Sequence, residues 1–144
     1  GASQPHRHFQ LLPRHYYERI CPRYEWFCSL LNNTQDTNSK ITHSISIRPR
    51  NKKNELNSND LFNSYKSMAK EMNIGEIDLN NEPLKPYNLL ITSKWIALIS
   101  RKTDRSNGFS INALGFAGYF LGTKRSDVDT LIKFGPERIL MDVI

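Results

Sequence analysis

The stretch YNLLITSKWIALIS, Tyr87 through Ser100, constrains the fold more than any other part of the chain. Two apolar runs rich in Leu and Ile flank a short polar break at Thr92-Ser93-Lys94. Runs of this length bounded by turn residues read as strands, and two of them joined so closely read as an antiparallel hairpin. A second constraint precedes it. From Leu61 the apolar residues fall at Leu61, Phe62, Tyr65, Met68, Ala69 and Met72, spacings that place them on one face of a helix ending near Gly75.

The remaining segments fit around these two. RHYYERI and RYEWFCSLL each suit short helical turns divided by Pro22, with Trp26, Phe27, Leu30 and Leu31 as core. ITHSISI alternates Ile41, His43, Ile45 and Ile47 with small polar residues and reads as a strand between two Asn-rich polar stretches. RKTDRSNGFS reads as a basic loop, and INALGFAGYFLG as a strand interrupted by Gly115, Gly118 and Gly122. Alternatively, Asn112, Gly115 and Gly118 shape only a bend in a packed strand. Ser126 and Asp129 suit a capping box for a helix through VDTLIKF, punctuated by Gly135-Pro136 before ERILMDVI closes the chain helically. Strands interleaved with unequal helices, one pair forming a hairpin, predict an α+β fold with a largely antiparallel sheet and flanking helices.

Composition narrows the partners. The chain of 144 residues and 16.7 kDa has the size of one domain. Its 20 Lys and Arg against 14 Asp and Glu give a net charge of +6, which favours anionic partners such as nucleotides and polyphosphates. The basic residues are scattered, with no stacked-aromatic RNA signature and no recognition-helix pattern, so a dedicated nucleic-acid binder is disfavoured. Cys21 and Cys28 read as reduced packing residues, which points to an intracellular, cytoplasmic protein. No stretch approaches the ~18 apolar residues of a membrane span.

Chemistry concentrates in GASQPHRHFQLLP. As a strand this segment places His6, His8 and Gln10 on one face and Phe9 and Leu11 on the other. Such alternation is also what an ordinary half-buried strand shows. A metal site would need His15 or Cys21 as a third ligand, and Gln10 is a poor ligand for zinc, so no metal is assigned. A Ser-His-Asp hydrolase is disfavoured by the lack of a G-x-S-x-G elbow. Nucleophilic catalysis by histidine fits better: a neutral imidazole attacks phosphorus well when one ring nitrogen is held by a partner. A neighbouring Gln10 amide could then donate to a phosphate oxygen as charge builds on it. Gly1, Ala2, Ser3 and Gln4 ahead of Pro5 would let backbone amides approach an anion.

These residues carry a resemblance. GASQPHRHFQLLP resembles the histidine-triad motif in its H-x-H-x-Q form, the variant of the nucleotidyl-transferring branch. YNLLITSKWIALISRK, SINALGFAGYFLGTK and LIKFGPERILMDV are similar to the C-terminal region of the ATP adenylyltransferases, also called diadenosine tetraphosphate phosphorylases. ITHSISI sits where that family carries a strand with an inward histidine. The resemblance implies a histidine-triad-like α+β fold and a nucleotidyltransferase that cleaves diadenosine tetraphosphate with phosphate to ATP and ADP through a covalent adenylyl-histidine. It implies His8 as nucleophile, His6 as the residue that orients the site, and Gln10 as the ligand of the reacting phosphate. Gly1, Ala2, Ser3, Gln4, Asn112, Ala113, Leu114 and Tyr119 are implied to approach substrate, with a basic group shortly after. Where the family places a lysine, this chain has Thr123 followed by Lys124; the residues leave both open for the role, with Lys124 named as the candidate. Adenine nucleotides and phosphate are the implied partners; no cofactor is required, and a divalent cation would enter only with the nucleotide.

One domain is expected, with residues 1–48 carrying the motif strand and following segments, 49–60 a polar Asn/Lys-rich loop, and 61–144 the ATP adenylyltransferase-like region. Family members have a long N-terminal half before the motif. The fold is therefore expected to be incomplete without such a half, or to be completed in a homo-oligomer. Hexose-phosphate uridylyltransfer shares the chemistry, and a noncatalytic nucleotide-binding module or inactive fragment is the alternative from another class.

Overall fold

A computed structural model of the protein describes residues 21–32, 43–50, 57–75 and 83–144. In chain order these form α1 (Tyr24–Leu31), β1 (Ile45–Pro49), α2 (Ser58–Glu71), β2 (Tyr87–Ile91), β3 (Trp95–Ser100), β4 (Arg105–Ser106), β5 (Phe109–Ser110), α3 (Ala113–Ala117) and α4 (Val128–Val143). Helices and antiparallel sheets together make this an α+β fold, as the sequence predicts.

β2 and β3 form the expected hairpin, in register from Tyr87 opposite Ser100 to Ile91 opposite Ile96. Thr92 makes the reversal: its hydroxyl oxygen accepts from the amides of Lys94 at 3.2 Å and Trp95 at 3.0 Å. β1 pairs antiparallel on the other side of β3, so the order is β1-β3-β2 with β3 central. That position explains the unbroken apolar run. Trp95 through Ile99 are buried on both faces of the sheet, so the alternation of a half-solvated strand is absent from β3.

The two faces have different cover. Ile96 and Leu98 pack with Met68, Ala69 and Ile74, which α2 and its following turn supply. Trp95, Ala97 and Ile99 pack with Phe27 of α1, Phe109, Ile111, Phe116 of α3, and Ile139, Leu140 and Val143 of α4. Phe27 stacks on Trp95 with ring centroids 4.8 Å apart. α2 starts where Asn57 accepts from the amides of Asn59 and Asp60, an N-cap that satisfies donors the helix itself cannot. Leu61, Tyr65, Met68, Ala69 and Met72 face the sheet as predicted, while Phe62 stays about half exposed.

Three local readings are corrected. The basic segment after β3 is not all loop, because β4 and β5 form a tight hairpin across Asn107 (φ 49°) and Gly108 (φ 77°). An Asn-Gly pair suits such a turn, whose central residues both need positive φ. INALGFAGYFLG does not run as a strand. Asn112 caps α3 with its side-chain oxygen, and Gly118 closes the helix at φ 111°, the left-handed geometry of a helix end. The cap of α4 is Asp127 and not Ser126. The Ser126 hydroxyl instead donates to the Gly108 carbonyl at 3.0 Å and accepts from the Thr123 amide at 2.7 Å. Gly135-Pro136 does punctuate α4: Gly135 has φ 78° and ψ 171°, a kink between its two halves. No helix among the described residues is long and apolar enough to cross a membrane.

Candidate functional site

Gly1, Ala2, Ser3, Gln4, His6, His8 and Gln10 lie outside the described residues. Asn112, Ala113, Leu114, Tyr119 and Lys124 lie within them. The first four of these come together because one short helix and the residues that flank it carry them. Asn112 is extended (φ −120°, ψ −163°), and its Oδ1 accepts from the amides of Leu114 at 2.9 Å and Gly115 at 3.4 Å. Tyr119 folds back so that its amide donates to the Leu114 carbonyl at 2.9 Å. The segment is a capped turn in which Asn112 holds a structural position, whatever else it does. Ala113 and Leu114 are half-buried in its first turn and Tyr119 is exposed.

Neighbouring elements fix this turn in place. The Arg23 amide, at the start of α1, donates to the Ala117 carbonyl at 3.1 Å, and the Cys21 thiol donates to the same carbonyl at 3.5 Å. Burial pushes the Cys21 thiol above its ordinary pKa, so it stays protonated and packs as a small hydrophobe. Cys21 and Cys28 are both free thiols. α3 also approaches β2, on the face that Asn88 and Leu90 share with Ile99 and Ala97.

Lys124 stands on the exposed loop between the turn and α4. Leu121 bridges to Ser110, which brings this loop along the β4–β5 hairpin. Thr123 and Lys124 differ in what they have to spare. The Thr123 side-chain oxygen accepts from the Arg125 amide at 3.1 Å and is committed to the loop, while Lys124 is exposed. At the loop's end the Asp127 carboxylate accepts from the Thr130 hydroxyl at 2.6 Å and the Thr130 amide at 2.9 Å. Those bonds to Thr130 hold the Asp127 carboxyl below the usual aspartate range. A carboxyl depressed on folding stabilises the folded chain above its unfolded pKa of about 4, and the effect fades as pH falls through the folded value. The Thr130 amide resonance is therefore expected to shift as pH is lowered from about 5 to about 2. Asp127→Asn, whose amide oxygen still caps, should remove that titration; an identical titration in the variant would locate it elsewhere.

Sequence patterning gave no sign of two buried polar side chains beside the turn. Arg101 is 2 % exposed and its Nη1 donates to the Ile111 carbonyl at 2.5 Å. Asn88 is 8 % exposed, and its Nδ2 meets no hydrogen-bond partner among the described residues. Asn88 sits inside an apolar run, where hydropathy predicts only core, and Arg101 opens a basic stretch, where it predicts only a solvated loop. His43, read as an inward strand histidine, is exposed and precedes β1. A concavity of about 340 Å³ lined by Pro49, Arg50, Asn57, Asp60, Asn63 and Ile96 opens on the α2 face of the sheet, opposite the Asn112 turn. Among the described residues no three His, Cys, Asp or Glu side chains gather into a metal-ligand set.

Residues 23–144 match the family model described as ATP adenylyltransferase C-terminal domain. Protein APA1 of Saccharomyces cerevisiae is 27 % identical over 150 residues, covering 96 % of this chain and 46 % of its own length. Diadenosine 5',5'''-P1,P4-tetraphosphate phosphorylase 2 of the same yeast is 24 % identical over 143 residues, covering 91 % of this chain and 44 % of its own length. The chain thus spans under half the length of these curated relatives. No solved structure matches it.

Proposed function

Because the chain belongs to the ATP adenylyltransferase C-terminal domain family, we propose that it is a nucleotidyltransferase that cleaves diadenosine tetraphosphate with inorganic phosphate to ATP and ADP. The observation that carries this reading is the family match over residues 23–144 placed directly behind an H-x-H-x-Q motif at His6, His8 and Gln10. A ring nitrogen of His8 attacks the phosphorus next to one adenosine, and the bond from that phosphorus to the bridging oxygen breaks. ATP leaves and AMP remains on His8. A phosphate oxygen then attacks the same phosphorus, the nitrogen–phosphorus bond breaks, and ADP departs with the imidazole restored. His6 orients the strand and Gln10 donates to the reacting phosphate.

Gly1, Ala2, Ser3 and Gln4 line the phosphates, and Asn112, Ala113, Leu114 and Tyr119 approach the substrate. Lys124 is the basic group that follows this segment, since Thr123 is committed to its own loop. No cofactor takes part; a divalent cation accompanies the nucleotide. The partners are adenine nucleotides and phosphate, in the cytoplasm.

A substrate panel tests the reading. Diadenosine tetraphosphate with phosphate should give ATP and ADP in equal amounts, with no ADP and at most one ATP per protein molecule when phosphate is left out. Uridylyl transfer between hexose phosphates would replace it with the related transferase activity. Nucleotide binding by calorimetry without any turnover would make the protein a noncatalytic nucleotide-binding module.

A further inference from the structure

Arg101 is a charged side chain in a place where an apolar one would be cheaper. It stands just past β3, almost fully enclosed, and the desolvation of its guanidinium lowers its pKa, against which the charge of Asp104 acts. Buried ionic groups are often replaceable by apolar side chains of similar volume without loss of stability, so fold stability alone does not account for one. Its contacts suggest another role. The Arg101 amide donates to the Pro86 carbonyl at 2.9 Å, which anchors the residue to the start of β2. Its Nη1 reaches across to the Ile111 carbonyl, and the Ile111 amide donates to the Asp104 carbonyl at 2.8 Å. Both peptide planes flanking Ile111 are thereby fixed, and the next residue is Asn112.

The orientation of the Ile111–Asn112 peptide sets the direction in which the Asn112 side chain leaves the backbone. That side chain holds the first-turn amides of α3. We propose that Arg101 is a positioning residue for the nucleotide-facing turn, acting through the Ile111 carbonyl to hold Asn112, Ala113 and Leu114 in their binding arrangement. The proposal rests on the reading that this turn faces nucleotide. A guanidinium suits the task because its planar fork is rigid, whereas lysine offers a compact, flexible donor.

The test compares Arg101→Met and Arg101→Lys with the unaltered protein by melting, hydrogen exchange and steady-state kinetics. Arg101→Met is expected to melt within a few degrees of the unaltered protein. Its Leu114 and Gly115 amides should exchange at least tenfold faster while those of β3 keep their protection. KM for diadenosine tetraphosphate should rise roughly tenfold, as expected for a displaced binding element, with kcat changed less than about threefold. Arg101→Lys should restore part of the exchange protection and part of the KM. Unchanged exchange at 114 and 115 in the methionine variant would overturn the proposal whatever the activity. If that variant does not fold, Arg101→Lys decides: faster exchange at these two amides supports the role, and unchanged exchange refutes it. Should the exchange results hold while the unaltered protein neither binds nor turns over adenine nucleotides, the nucleotidyl-transfer reading falls and the positioning geometry stands.

Discussion

Replacing His8 with alanine is expected to lower the rate of diadenosine tetraphosphate cleavage by about 10³-fold or more, while nucleotide affinity stays within about threefold. The expectation follows from the proposed two-step chemistry. With no imidazole at position 8, no covalent adduct forms, and the reaction must proceed by direct attack of phosphate on the dinucleotide. That route keeps substrate binding and any electrostatic help from Gln10 and Lys124. It lacks the group that divides one difficult displacement into two easier ones. A loss confined to affinity, with turnover intact, would mean that His8 only binds. Wild-type turnover in the variant would remove the histidine mechanism.

The second large effect concerns stability. Gly108 occupies the tight turn between β4 and β5 at φ 77°, and a Cβ there would lie 2.0 Å from the Arg125 carbonyl oxygen and 2.9 Å from the Ser126 Cα. Both atoms belong to backbone, so no side-chain rotation relieves the clash. Gly108→Ala combines left-handed strain of about 1–2 kcal/mol with overpacking of typically 1–3 kcal/mol. A loss of about 3 kcal/mol is expected, which for a domain of this size is a fall in Tm of roughly 10 °C. Gly122→Ala is the control: its nearest neighbour would be 3.6 Å away, an ordinary contact, and its φ is not in the left-handed range. Equal melting of the two variants would contradict the close approach of the Arg125 loop to this hairpin. The loop carries Lys124, so the same contact holds the candidate basic group in place.

Long, strongly periodic segments were legible in the sequence. α2 followed from its apolar spacing, the β2–β3 hairpin from two apolar runs around Thr92, and the α4 kink from Gly135-Pro136. The short elements were not. α3 consists of five residues with a glycine among them, too few for any helical period to appear. The signal that would have found it is the pair of ends, Asn112 before and Gly118 after. In RKTDRSNGFS the net positive charge suits a solvated loop, although Asn107-Gly108 alone suits a tight hairpin turn. At α4, Ser126 and Asp127 are both good caps by residue type. The Gly108 carbonyl takes the Ser126 hydroxyl, a long-range contact that no local rule contains. Candidate site residues were legible only through resemblance to a family. Spacing alone leaves His6 and His8 as an ordinary strand pair and Asn112 as a bend. Arg101 was hidden because it joins the end of β3 to Ile111 through tertiary geometry, across ten residues of sequence.

The most direct test is to trap the intermediate. The protein is mixed with diadenosine tetraphosphate in the absence of phosphate, quenched at alkaline pH, digested, and its peptides are sequenced by mass spectrometry. The account predicts one adenylyl group attached to His8, discharged as ADP when phosphate is added before the quench. Full phosphorolysis without any adduct on His8, or with the adenylyl group on another residue, would contradict it.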